Sequence, residues 1–146
     1  MTKYEKTIVK RFEQMIQSAN SVDDLIEIEN FINDNKNKVS LKGLAYNYLL
    51  CLLGSEESTQ SQIAFAYFIV GQTYDDPNFR YLYFTTAADY FNDIGSDLYV
   101  LSLRKKEYAL FQIDIADAFR ESKEDEWDIR LLFYFNNRIK YIKHID

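Results

Sequence analysis

Residues 64–95, AFAYFIVGQTYDDPNFRYLYFTTAADYFNDIG, decide the fold class. Two aromatic-rich stretches flank the chain's only proline, Pro77. Proline suits the first turn of a helix and is excluded from its interior, because it lacks an N–H and its ring collides with the preceding turn. The spacing therefore predicts a helix over 60–74, a turn around Pro77, and a second helix over 79–94 that stops at Gly95. On the second, Phe79, Leu82, Tyr83, Ala87, Tyr90, Phe91 and Ile94 share helical register. A strand over IVGQTY at 69–74 is the competing reading, and the flanking residues favour the helix.

Toward the N-terminus, segment 3–18 places Tyr4, Ile8, Phe12, Met15 and Ile16 on one face, with Thr2 and Glu5 spaced as a capping box. Ser21 and Asp24 repeat that signature before a helix whose apolar side is Val22, Leu25, Ile26 and Ile32, followed by the polar loop NDNKNK. Segment 40–53 carries Leu41, Leu44, Ala45, Tyr48, Leu49 and Leu52 in register, while Leu50, Cys51 and Leu53 cover the other sides. A helix apolar all round predicts a central position.

Toward the C-terminus, 97–119 carries Leu101, Tyr108, Phe111, Ile115 and Phe119, with Arg104, Lys105 and Lys106 as a bend or exposed turn; one helix and two both fit. Ser122 and Asp125 start the last helix, with Leu132, Phe135, Ile139 and Ile142 as its core stripe. Nothing alternates with period two for long enough to demand a sheet. The expected architecture is a single all-α domain over 1–146, a compact bundle of about seven helices built from antiparallel helical hairpins with a repeat-like centre.

With 146 residues the chain can bury a sizeable core without staples, and its one cysteine, Cys51 inside LLCLL, supplies no disulfide framework. The leucines around Cys51 predict a buried thiol. The charged opening MTKYEKTIVKRFEQM lacks the apolar core of a signal peptide, and no apolar run approaches the ~20 residues of a membrane span. A cytoplasmic, soluble protein with no membrane partner is expected. A net charge of -6, from 17 basic and 23 acidic side chains, argues against a nonspecific binder of duplex nucleic acid.

Within 64–95, Tyr67, Val70, Gly71 and Tyr74 have the spacing of the first helix of a tetratricopeptide repeat, and Ala87 with Phe91 the small and aromatic positions of its second. The segment thus resembles one such TPR-like helical hairpin, with about four extra residues in the turn. The resemblance implies a scaffold that binds proteins or peptides.

Chemical motifs are few. There is no Gly-rich phosphate loop, no HExxH and no CxxC, and one histidine excludes the ExxH pairs of di-iron bundles. DNKNKVSLKG fails as a calcium loop because Lys36 and Lys38 fall at or beside ligand positions and Val39 replaces the required glycine. Carboxylates cluster at Asp23, Asp24, Glu27 and Glu29, at Asp75 and Asp76, and at Glu121, Glu124, Asp125, Glu126 and Asp128, where helix starts favour negative charge. No catalytic residue, cofactor or metal is expected. Arg138 and His144, in an R-x5-H spacing, resemble the signature of HEPN ribonucleases, which implies metal-independent RNA cleavage in a composite dimer site.

The aromatic content, 16%, exceeds what one core stripe per helix absorbs, so some rings must reach the surface. On the last helix Arg130, Tyr134, Arg138 and Tyr141 lie off the apolar stripe, and Arg and Tyr are the types enriched at binding hot spots. Tyr81 and Phe84 on the fifth helix, and Phe65 and Phe68 on the fourth, pose the same choice between core and surface. The expected function is that of a non-enzymatic module that binds another protein. A stoichiometric inhibitor or adaptor fits, such as an immunity protein against a toxin or a phage-encoded blocker of a host defence. The alternatives are the HEPN-like ribonuclease and an acidic mimic of nucleic acid; a homodimer is left open.

Overall fold

The computed structural model of the protein describes residues 1–121 and arranges them as six helices: α1 Lys3–Ser18, α2 Val22–Asn35, α3 Lys42–Leu53, α4 Gln60–Thr73, α5 Pro77–Asp93 and α6 Leu98–Glu121. There is no strand among the described residues, and IVGQTY is helical through Thr73. The seventh helix expected from Ser122 lies outside the described residues.

Local chemistry sets the helix starts. The Glu5 N–H donates to Thr2 Oγ1 at 3.1 Å, and the Asp24 N–H donates to Ser21 Oγ at 3.2 Å. In return the Asn20 N–H donates to Asp24 Oδ2 at 2.9 Å, and these two partners, Asn20 first, hold the Asp24 carboxyl below its ordinary pKa. Thr59 and Gln62 form a complete capping box on α4. Asp76 Oδ1 accepts from the Asn78 N–H at 2.9 Å, with Pro77 in the first turn of α5 where its missing donor costs nothing. Each such cap contributes about 1 kcal/mol. At the far end of α5 the Gly95 N–H donates to the Asn92 carbonyl and the Ser96 N–H to the Phe91 carbonyl, a Schellman motif. It needs a left-handed residue, which Gly95 supplies at φ 68°.

α4 is the central helix. It packs on α5, α3 and α2, and eight of its 14 residues are buried. This corrects the expectation that α3 occupies the middle. Both helices are almost free of charge; what separates them is that Ala64, Ala66 and Gly71 let neighbours close on α4 from several sides. α3 rests on α4 and α1 and buries only Ala45 and Leu49 within its span. Leu50, Leu53 and Cys51 are exposed, so the predicted core cysteine is a surface one.

Two other apolar faces are rotated from their expected positions. On α2 the buried residues are Leu25, Ile28, Ile32 and Asn35, while Val22 and Ile26 are exposed. On α5, which is clasped by α4 and α6, the covered row is Phe84, Ala87, Ala88 and Phe91, while Phe79, Leu82 and Ile94 face outward. α6 runs unbroken through Arg104, Lys105 and Lys106; these are good helix formers, and Lys105 Nζ reaches both carboxylate oxygens of Glu29 on α2 at 3.2 Å. Among the described residues, no helix is long and apolar enough to cross a membrane.

Candidate functional site: a tyrosine face across three helices

Phenylalanine and tyrosine divide the surplus rings between them. Phe12, Phe65, Phe68, Phe84 and Phe91 are buried, with Phe65 set edge-on to Phe91 at 5.4 Å and Phe68 edge-on to Phe84 at 4.9 Å. Phe65, Phe68 and Phe84 are therefore core. Tyr48, Tyr67, Tyr74, Tyr83 and Tyr90 stop at the boundary, half-buried with their rings packed against the core.

On α4 and α5 those boundary tyrosines form a row. Phe79 stacks on Tyr74 at 4.8 Å, Tyr74 on Tyr83 at 5.4 Å, Tyr83 meets Tyr67 at 6.3 Å, and Tyr67 stacks on Tyr90 at 5.5 Å. Rising numbers on α4 pair with falling numbers on α5, the signature of an antiparallel hairpin. α3 adds Lys42, whose Nζ lies 4.5 Å from the centre of the Tyr74 ring, and Tyr46, which is 40% exposed and whose charge, when ionised, would act on Tyr67 and Tyr83. Leu50 and Leu53, 47% and 44% exposed, follow Tyr46 at i+4 and i+7 and so extend the same side of α3. The result is an aromatic and aliphatic surface contributed by three helices.

Burial keeps the Tyr67 and Tyr83 phenols neutral. Burial, then the neighbouring Tyr74 with its hydrogen bond, pushes Tyr83 up to about 12. Burial raises Tyr48 as well, and raises Tyr67 with help from Tyr90 and Tyr46. Groups held this far from ionisation offer stacking and hydrogen bonds, not nucleophiles or bases, at neutral pH. The raised value of Tyr83 stabilises the fold fully below its ordinary pKa of 10.0, and that contribution is lost as pH climbs toward about 12. Alkaline titration followed by tyrosinate absorbance is expected to show a late-ionising phenol that Tyr83→Phe removes, with the alkaline unfolding midpoint moved to higher pH. Simultaneous ionisation of every tyrosine near the ordinary value would contradict the row's geometry.

Of the residues singled out from sequence, Tyr81 is half-buried beneath Lys106 of α6, whose Nζ lies 5.7 Å from its ring centre. Arg130, Tyr134, Arg138, Tyr141 and His144 lie outside the described residues. In the first acidic cluster Asp24 caps α2, Glu27 pairs with Arg11 of α1 at 3.4 Å, and Glu29 pairs with Lys105 of α6. Asp76 is likewise a cap. Among the described residues no group of three or more His, Cys, Asp or Glu side chains is placed to hold a metal ion. The row itself had a sequence signal that single-helix patterning overlooks. Tyr67 and Tyr74 are spaced by seven on α4, and Tyr83 and Tyr90 by seven on α5, so each pair lies along one side of its helix.

Comparison of the chain with family models, with curated proteins and with solved structures returns no match.

Proposed function

We propose that the chain is a non-enzymatic protein-binding module, a cytoplasmic inhibitor or adaptor that holds another protein stoichiometrically through its tyrosine face. The observation that carries this reading is the row of stacked rings on α4 and α5, with Tyr46 of α3 beside it and Leu50 and Leu53 exposed on the same side of α3 as Tyr46. Contiguous apolar surface of this kind marks interaction sites, and tyrosine combines large contact area with a directed hydrogen bond. Rings already stacked on one another lose little conformational freedom when a partner covers them. The Phe84 ring lying over Gly71, and the burial of Ala87, are compatible with a TPR-like reading of the hairpin and, with it, a scaffold role. The sequence stripe Arg130, Tyr134, Arg138 and Tyr141 offers the same chemistry as a second contact.

The test is affinity capture from lysate of the native host, comparing the parent with a Tyr46→Glu/Leu50→Glu double variant. Both positions are exposed, so melting is expected to stay within about 0.5 kcal/mol of the parent. Loss of one hot spot lowers affinity about thirtyfold, enough to remove a stoichiometric partner from the eluate. Equal recovery by both forms would exclude this face, in which case Tyr134→Ala/Arg138→Ala becomes the discriminating variant. Absence of any protein partner would exclude the function.

A further inference from the structure

Among the described residues, the tyrosine row carries a cation of its own at one end only. There Lys42 Nζ sits 4.5 Å from the centre of the Tyr74 ring, next to Phe79. Lys38 over Tyr4 and Lys106 over Tyr81 repeat the contact, at 5.6 and 5.7 Å. The attraction is that of a positive group for the negative face of an aromatic ring. At the opposite end Tyr90 closes the row with a single ring neighbour, Tyr67, and Tyr46 is exposed beside it.

That second end is lined with carboxylates. α3 runs antiparallel to α4, since Lys42 meets Tyr74 while Tyr46, further along α3, acts on Tyr67, and α5 is antiparallel to α4 as well. The last turns of α3 and α5 therefore lie beside the start of α4. Glu56 and Glu57 follow Leu53 in the short link between α3 and α4, and Asp93 follows Tyr90 at i+3 on α5. All three are exposed, and among the described residues none of them forms an ion pair. Open rings and unpaired carboxylates thus share one end of the face, while the cation that could neutralise them is seated at the other.

We propose that the tyrosine face binds a basic segment of its partner, whose lysine or arginine side chains stack on Tyr90 and Tyr46 and meet Glu56, Glu57 and Asp93. This rests on the proposal that the face binds a protein, and adds the chemistry of what is bound. An acidic rim draws a basic segment and repels an acidic one, and the rings supply the apolar part of the contact.

The probes are a fluorescein-labelled peptide of repeated Arg-Leu-Gly and its counterparts with Gln or Glu in place of Arg, each titrated into the full chain by fluorescence anisotropy. The Arg peptide is expected to bind at least about tenfold more tightly than the Gln peptide, and the Glu peptide most weakly. Glu57→Gln/Asp93→Asn is expected to weaken the Arg peptide about fivefold. Asp23→Asn/Asp34→Asn changes the net charge equally on α2, which gives no residue to the face, and is expected to weaken it less than about twofold. Tyr46→Leu keeps the apolar area and removes the phenol ring, so it is expected to cost the Arg peptide about threefold and the Gln peptide nothing. A Gln peptide bound as tightly as the Arg peptide would overturn the proposal, as would no binding of the Arg peptide. Equal losses from the two carboxylate pairs would overturn it too, by tracing binding to net charge alone. Failure of the protein-binding role itself is a different result, equal capture of lysate proteins by the parent and by Tyr46→Glu/Leu50→Glu.

Discussion

Phe84→Ala is expected to lower the free energy of unfolding by about 3–5 kcal/mol, against a total of about 5–15 kcal/mol for a domain of this kind. The ring is fully buried between α4 and α5 and touches three different kinds of neighbour. Phe68 meets it edge-on at 4.9 Å, the backbone of Gly71 lies directly against it, and the Arg80 guanidinium sits 5.1 Å from its centre. Removing it opens a cavity that these neighbours cannot fill, since Arg80 is tied to the end of α4 by two carbonyls. Urea unfolding measures the effect as a lower midpoint at unchanged slope. A loss below about 1 kcal/mol would show that the α4–α5 contact collapses freely around the deletion.

Gly71→Val is expected to cost about 3 kcal/mol, and Gly71→Ala less. A Cβ at this position would stand 3.0 to 3.1 Å from three atoms of the Phe84 ring, closer than side chains ordinarily pack. Replacing glycine by alanine inside a helix normally gains about 1 kcal/mol, so the sign depends on whether the ring can retreat. It cannot, because Phe68 and Arg80 hold its other sides. The double variant isolates this cause. In the Phe84→Ala background, Gly71→Ala is expected to turn neutral or stabilising, and a persistent penalty there would trace the cost to some other contact.

Helix ends were the most legible part of this molecule, because a cap is a local interaction between residues three or four apart. Thr2, Ser21 and Gly95 announce their roles without reference to the rest of the chain. Helix faces were less legible. On α5 nearly every position from Phe79 to Phe91 is large, aromatic or small, so periodicity fits more than one orientation; the partners α4 and α6 select the row from Phe84 to Phe91. For α3, apolarity on every side suggested the centre, yet a neighbouring helix with smaller residues takes that place and leaves Leu50, Cys51 and Leu53 outside. The cleft between α2, α4, α5 and α6 had no signal in the order of residues at all. Gln72, Arg80 and Lys105 come from three helices, and their meeting with Glu29 is a product of packing.

Four of the five pairs of helices adjacent in the chain are also adjacent in space, α1 against α2, α3 against α4, α4 against α5 and α5 against α6, whereas α2 packs on α4 in place of α3. Short loops of this kind bring partners together with little loss of chain entropy, which favours rapid folding from several local starts. The polar ties of α2 to the rest are of a different kind. Gln72 reaches the Leu25 carbonyl across 47 positions of sequence, and Lys105 reaches Glu29 across 76. Hairpins such as α4–α5 can therefore form early, whereas these two bonds await the docking of already formed parts. The walls of the cleft meet only at that step, so its completion reports the end of folding rather than its beginning.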